Sequence, residues 1–208
     1  MSSFNVGNFN IERYFRNTQN NITRIQYYDA GEGYLINTFQ NLNDDQAIGV
    51  ESSFIYDITK WFNVNLSGTY YYYQVEDLTG DTKDLRTSNN WDGRLITSFN
   101  LPSHTRFQLN ASYDSPSVTA QGESEGSYYM DFTAKQEFFD KSFSVTLKIS
   151  DILASRNSES YRYGQGFYTY SYRERESRVV SLTLSYRLNN YKEKPIIGDM
   201  GGGEGGGM

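Results

Sequence analysis

Few side chains in this 208-residue chain are of types that do chemistry, and their spacing does not gather them. There is no cysteine, which excludes disulfides, thiolate nucleophiles and cysteine-based zinc sites. The single histidine, His104, falls in a turn, Pro102-Ser103-His104. A catalytic histidine needs a nucleophile and an orienting acid within reach, and nothing in the sequence marks either. Asp77, Asp81 and Asp84 share one loop and could offer oxygen ligands to Ca²⁺, but their spacing is not that of an EF-hand. Arg173-Glu-Arg-Glu-Ser-Arg178 alternates in sign. That pattern suits cross-strand ion pairs on an exposed rim, each worth under about 1 kcal/mol. The glycosylation-like triplets at Asn21, Asn65 and Asn110 fall in stretches rich in Asn, Ser and Thr, where chance produces them. The chain is therefore expected not to be an enzyme and to hold no metal or cofactor.

The elements that carry these residues are strands. Phe143, Val145, Leu147 and Ile149 alternate with Ser144, Thr146, Lys148 and Ser150. Val180, Leu182, Leu184, Tyr186 and Leu188 alternate with Ser181, Thr183, Ser185 and Arg187. Phe107 and Leu109 oppose Arg106, Gln108 and Asn110, and Phe62, Val64 and Leu66 oppose Asn63, Asn65 and Ser67. Successive strand side chains point to opposite faces, so each run makes one apolar and one polar face. Glu51 and Asp57 fall on the polar face of one strand, as do Asp131 and Glu137 on another. About eight strands are expected, roughly at 8–28, 34–58, 62–76, 86–101, 104–118, 121–139, 142–153 and 165–188.

Breaks between the runs alternate in size. Short ones fall near Thr59-Lys60, Pro102–His104 and Asp140-Lys141; long polar ones near Asp29–Gly33, Asp77–Arg86, Ser115–Ser124 and Ala154–Gly166. Short turns at one end and long loops at the other is the layout of an outer-membrane barrel. Aromatic residues gather at strand ends: Trp61 and Phe138 by short turns, and Tyr70 and Tyr72 toward a long loop. Girdles at two membrane interfaces would use them so. On this reading Phe62, Val64, Leu66, Phe107, Leu109, Phe143, Val145, Leu147, Ile149, Val180, Leu182, Leu184 and Tyr186 face lipid. Glu51, Asp57, Asn63, Asn65, Arg106, Gln108, Asn110, Thr146, Lys148, Thr183 and Arg187 face the lumen. Most lumen positions are small and polar, which suits a wide, wetted lumen better than the narrow, side-chain-filled interior of an eight-stranded barrel.

Bulk composition agrees. Hydrophobic residues are 37%, but 19 of them are tyrosine. No stretch approaches the ~18 apolar residues of a membrane helix. A net charge of −6 lacks the basic footprint of a nucleic-acid binder. The opening MSSFNVGNFN has no basic segment followed by an apolar run, so no signal peptide is expected. The domain assignment is a partial barrel over 1–190 and a disordered Gly-rich tail over 191–208.

Several segments resemble a known family. They are Ser115-Pro-Ser-Val-Thr-Ala-Gln-Gly122, Lys148-Ile-Ser-Asp-Ile-Leu153, Gly166-Phe-Tyr-Thr-Tyr-Ser-Tyr-Arg-Glu-Arg-Glu-Ser-Arg178 and Leu182-Thr-Leu-Ser-Tyr-Arg187. With Asn20–Ile25 and Asp57–Phe62, they are similar, in order, to the C-terminal end of TonB-dependent outer-membrane receptors of the outer membrane protein β-barrel family. The resemblance implies about the last eight strands of a larger, plugged barrel in the cell outer membrane. It implies import of a bulky nutrient by the whole receptor, and no transport by this portion alone. The implied partners are outer-membrane lipid, the barrel-assembly machinery, and the receptor's plug and remaining strands; no nucleic acid and no cofactor is implied. A self-contained eight-stranded outer-membrane protein with an adhesin or structural role is the alternative. A soluble β-protein with aromatic-rich binding loops is a third, disfavoured by the size of the apolar face. For the fragment, the first and last strands are expected to have unpaired edges in a curved, open or strained sheet.

Overall fold

The period-two runs form strands, and cross-strand pairing sorts their residues into rows. The structure, a computed structural model, describes residues 7–80 and 84–188. The chain runs β1 (Asn8–Asp29), β2 (Tyr34–Thr59), β3 (Phe62–Glu76), β4 (Leu85–Asn100), β5 (Thr105–Asp114), β6 (Ser117–Thr119), β7 (Gly122–Ser124), β8 (Ser127–Phe138), β9 (Phe143–Ser150), β10 (Asn157–Gly164), β11 (Phe167–Glu174) and β12 (Val179–Tyr186). Eight strands make one antiparallel sheet in the order β1-β2-β3-β4-β5-β8-β9-β12, and a second sheet has the order β11-β10-β7-β6. The fold is all-β and the large sheet is open, with β1 and β12 at its edges.

Register keeps one parity on each face across the large sheet. Tyr56, Val64, Thr97, Leu109, Phe132, Ile149 and Val180 form one continuous row. The row one face over holds Asp57, Asn63, Ser98, Gln108, Thr133, Lys148 and Ser181. A slip of one residue in any pair would carry apolar side chains to the polar face, so the pattern itself fixes register.

Three connections lie at the short-turn end. Thr59 Oγ1 accepts from the backbone N–H of Phe62 at 3.0 Å in the first. The second carries His104 at φ 59° and the third carries Phe139, Asp140 and Lys141 at φ 50–67°. Left-handed backbone at three successive non-glycine residues is uncommon and confines this turn to its polar and small neighbours' hydrogen bonds. Ser142 supplies them, donating from N and Oγ to the carbonyl of Phe139 at 3.0 and 2.5 Å.

At the other end the structure departs from the sequence-based boundaries. The break expected to be long at Asp29–Gly33 is a tight turn, with Gly33 N on the carbonyl of Asp29 at 2.8 Å and Asp29 Oδ1 accepting from Gly31 N at 2.9 Å. Gly33 has φ 76°, which favours glycine. The expected strand 104–118 stops at Asp114, because Pro116 has no N–H to donate, and β6 then leaves for the second sheet. The expected strand 121–139 likewise starts as β7 in that sheet before β8 begins at Ser127. The stretch 154–166, expected to be a loop, contains β10. The expected last strand 165–188 is two strands, β11 and β12, in different sheets. Alternation marks an extended chain, but it does not say which sheet the chain joins. The tail expected at 191–208 lies outside the described residues.

Candidate functional site

On the apolar face many large side chains are exposed. Among the described residues the buried apolar ones are Ile25, Ala47, Val75 and Ala120, whereas Phe9, Ile11, Phe15, Leu182, Leu184 and Tyr186 are each about 60% exposed or more. Fully burying one such side chain is worth ~1.5–3 kcal/mol, so a sheet with this face in water would forgo most of its stabilisation. The expected lipid-facing residues Phe62, Val64, Leu66, Phe107, Leu109, Phe143, Val145, Leu147, Ile149, Val180, Leu182, Leu184 and Tyr186 all share this face by register.

Aromatic side chains bracket the face. At the short-turn end Phe62 stacks on Phe99 at 4.4 Å between centroids, with Trp61 beside both and Phe138 against Phe143 at 5.9 Å. Toward the other end Trp91 stacks on Tyr113 at 4.1 Å, and Tyr70 and Tyr72 share that side. From Phe62 to Tyr70 is about 26 Å of strand at ~3.3 Å per residue, or about 20 Å in height at a tilt of ~40°. That is close to the ~25 Å apolar band of an outer-membrane barrel.

On the opposite face lie Glu51, Asp57, Asn63, Asn65, Arg106, Gln108, Asn110, Thr146, Lys148 and Thr183, while Arg187 falls just past β12, its N–H on the Ser142 carbonyl at 2.7 Å. Lys148 Nζ is 3.7 Å from Asp131 Oδ2, and Lys135 Nζ donates to Glu137 Oε1 at 2.7 Å. Two features here were not visible in the sequence. Glu12, Glu51, Thr69, Asp92 and Asp114 form a cross-strand row, four carboxylates in five positions. A shallow cavity of about 320 Å³ opens beside Glu12, Glu51 and Asp92. Tyr14, Gly49 and Tyr71 form a second row, in which the rings close over the glycine. A Cβ on Gly49 would lie 2.6 Å from the Tyr71 Cβ and 2.9 Å from Tyr14 Cε1. The first row draws on five strands and the second on three, so only register reveals them.

The second sheet sits at the long-loop end and docks on the β1–β2 hairpin. That hairpin has a bulge near Asn20 (φ 53°), where buried Asp45 accepts from Asn21 Nδ2 at 2.7 Å and lies 3.6 Å from Arg16 Nη2. Beyond the bulge the Gln121 carboxamide pairs with the β1 backbone. It accepts from Gln26 N at 2.7 Å and donates to Gln26 O at 2.9 Å. Gln121 thus fills one edge position of β1 as a neighbouring strand would. Next to it a Cβ on Gly122 would fall 1.9 Å from the Tyr161 carbonyl oxygen, so only glycine lets β7 approach β10 this closely.

Asp151, in the Lys148–Leu153 segment, fixes the path from β9 to the second sheet. It is 1% exposed, and its carboxylate accepts from Ser155 N and Arg156 N, each at 3.1 Å. Its own N–H donates to Asp131 Oδ1 at 2.9 Å. On β10–β11, Tyr161 donates to Glu159 Oε1 at 2.7 Å. This bond, then desolvation and the Glu159 charge, push the Tyr161 hydroxyl well above the usual phenol range. Tyr163 and Tyr170 are also raised, chiefly by desolvation.

Other candidates separate. His104 lines a cavity of about 240 Å³ at the short-turn end with Thr105, Arg106, Lys135, Glu137 and Lys141. Asp77 accepts from Thr79 N and Oγ1 at 2.8 and 2.7 Å and pairs with Arg86 at 3.7 Å; Asp81 lies outside the described residues. No cluster fit to hold a metal ion occurs among the described residues. The cross-strand ion pairs expected of Arg173–Arg178 do not form with other described residues, and the register sets Arg173 and Glu174 opposite Ser158 and Asn157. Tyr161, Tyr163, Phe167, Tyr168 and Tyr170 belong to the second sheet.

Residues 2–186 match the outer membrane protein beta-barrel family. The chain belongs to this family. Membership accounts for the open-faced sheet and makes the chain an outer-membrane protein of the β-barrel class. No helix among the described residues is long and apolar enough to cross a membrane, and family members cross with strands. Neither a curated protein nor a solved structure matches the chain.

Proposed function

We propose that the chain is the C-terminal barrel portion of a TonB-dependent outer-membrane receptor for a bulky nutrient, not competent for transport alone and without enzymatic activity. The open sheet carries this reading. β1 spans 22 residues and β12 spans 8, and their free edges are not paired with one another. Unpaired backbone in hydrocarbon costs several kcal/mol per group, so further strands must meet both edges in a membrane. A wide polar face of Ser, Thr and Asn fits a large lumen around a plug.

On this reading the apolar face named above lies against lipid, and the face of Glu51, Asn63, Gln108 and Thr183 lines the lumen. The partners are lipid, the barrel-assembly machinery, the plug and the missing strands. Reading the coding DNA upstream of Met1 tests the proposal. An in-frame plug and further strand-encoding sequence are expected. A promoter and translation start at Met1, with a heat-modifiable closed barrel after refolding, would replace it by the self-contained eight-stranded protein.

A further inference from the structure

From the Phe62 row to the Tyr70 row, register puts one charged side chain of the described residues on the apolar face of the large sheet, Arg13 of β1. It shares a row with Val50, Tyr70 and Trp91, at the girdle nearest the long loops. Its chain neighbours, Glu12 and Tyr14, belong to the opposite face. Arg13 makes no ion pair with a described residue. Two strand spacings of ~4.8 Å separate it from Tyr70, so a tilt of ~40° offsets the two in height by ~6 Å. A long side chain that snorkels covers that offset. A cation on the lipid face of a barrel is costly at mid-depth and much less so near an interface. At the girdle its charge meets headgroups rather than hydrocarbon.

Beside Arg13 the apolar face is not flat. A groove of about 550 Å³ is lined there by Arg13, Phe15, Ile48, Val50, Tyr70 and Tyr72, with no carboxylate in its wall. Phe15, Ile48 and Tyr70 are each more than half exposed, so no other part of the chain covers them. The groove is built by β1, β2 and β3 alone. It therefore stands whether or not a further strand pairs with the outer edge of β1.

The two parts together select one kind of occupant. An apolar groove takes an acyl chain, and the planar fork of a guanidinium donates two parallel hydrogen bonds to a phosphate. Free phosphate would leave the groove empty, and a neutral lipid would leave the guanidinium unmatched. Long loops of such barrels are extracellular, so this girdle meets the outer leaflet. We propose that Arg13 and the groove beside it bind a phosphorylated, acylated lipid of the outer leaflet, its phosphate on the guanidinium and one acyl chain along the groove. The site rests on membership of the outer-membrane family and is independent of the receptor reading.

The test titrates the full chain, refolded in a nonionic detergent, with bisphosphorylated lipid A, its dephosphorylated form and inorganic phosphate, and reads bound lipid by native mass spectrometry. Lipid A is expected to bind at least tenfold more tightly than the dephosphorylated form, and inorganic phosphate should not displace it. Arg13→Gln should erase that preference, and Arg13→Lys, a point charge without the fork, should keep part of it. Val50→Trp, which fills the groove, should weaken both lipids about tenfold, and it carries the test should Arg13→Gln fail to refold. Arg94→Gln, on the opposite face, should leave binding unchanged. Equal binding of the two lipids, displacement by inorganic phosphate, an intact preference in Arg13→Gln, or an equal loss in Arg94→Gln would overturn the site. The upstream DNA decides the receptor reading separately, so either can fail alone.

Discussion

Asp151 holds the connection from β9 to the second sheet with one carboxylate. Its carboxylate accepts two backbone N–H bonds, from Ser155 and Arg156, and it is 1% exposed. Hydrogen bonds to a charged group contribute ~1.5–3 kcal/mol each, so the pair contributes ~3–6 kcal/mol before the freed amides find water. About 3 kcal/mol should remain after that recovery. Asp151 also has φ 50°, which alanine adopts at a cost of ~1–2 kcal/mol and asparagine more readily. Asp151→Ala should therefore destabilise this connection by about 4 kcal/mol, and Asp151→Asn, which keeps one acceptor oxygen, by about 1.5 kcal/mol. Amide hydrogen exchange at Ser155 and Arg156 in detergent micelles reads this directly. Protection should fall by about three decades for alanine and about one for asparagine, at ~1.4 kcal/mol per decade. Wild-type exchange in both variants, or equal loss in both, would refute the assignment of the two bonds to the carboxylate.

Three further outcomes are expected. Leu66→Arg, midway between the girdles on the apolar face, should lower stability in lipid bilayers by ~2–4 kcal/mol, whereas Asn65→Arg on the other face should change it by under about 1 kcal/mol; urea titration of both variants distinguishes the faces. Gly122→Ala should part β7 from β10 and release Gln121 from β1, seen as lost exchange protection at the Gln26 amide while the β4–β5 amides are unchanged. The Tyr161 hydroxyl is raised in the folded hairpin, so its contribution to stability is complete below the ordinary phenol value and is lost as pH rises above it. Absorbance titration near 295 nm should show a late-ionising tyrosine that Glu159→Gln shifts to lower pH.

Alternation at Phe143–Ser150 and Val180–Arg187 was enough to name strands, faces and an all-β membrane class, because side-chain period in a strand is a local property. Strand limits at 62–76 were equally legible, since Thr59-Lys60 and Asp77 punctuate that run. The division of Gly166–Arg187 between two sheets was not, because Phe167, Tyr168 and Tyr170 look locally like any aromatic strand. Nor could sequence show that Gln121 occupies the edge of β1 at Gln26, 95 residues away. The cavity lined by Arg24, Arg162 and Arg173 is of the same kind: Arg24 lies over a hundred residues from the other two, and the docking of one hairpin on another places all three around it. Local chemistry determined the two faces of each strand; the pairing register and the docked second sheet, which are non-local, decided which residues meet.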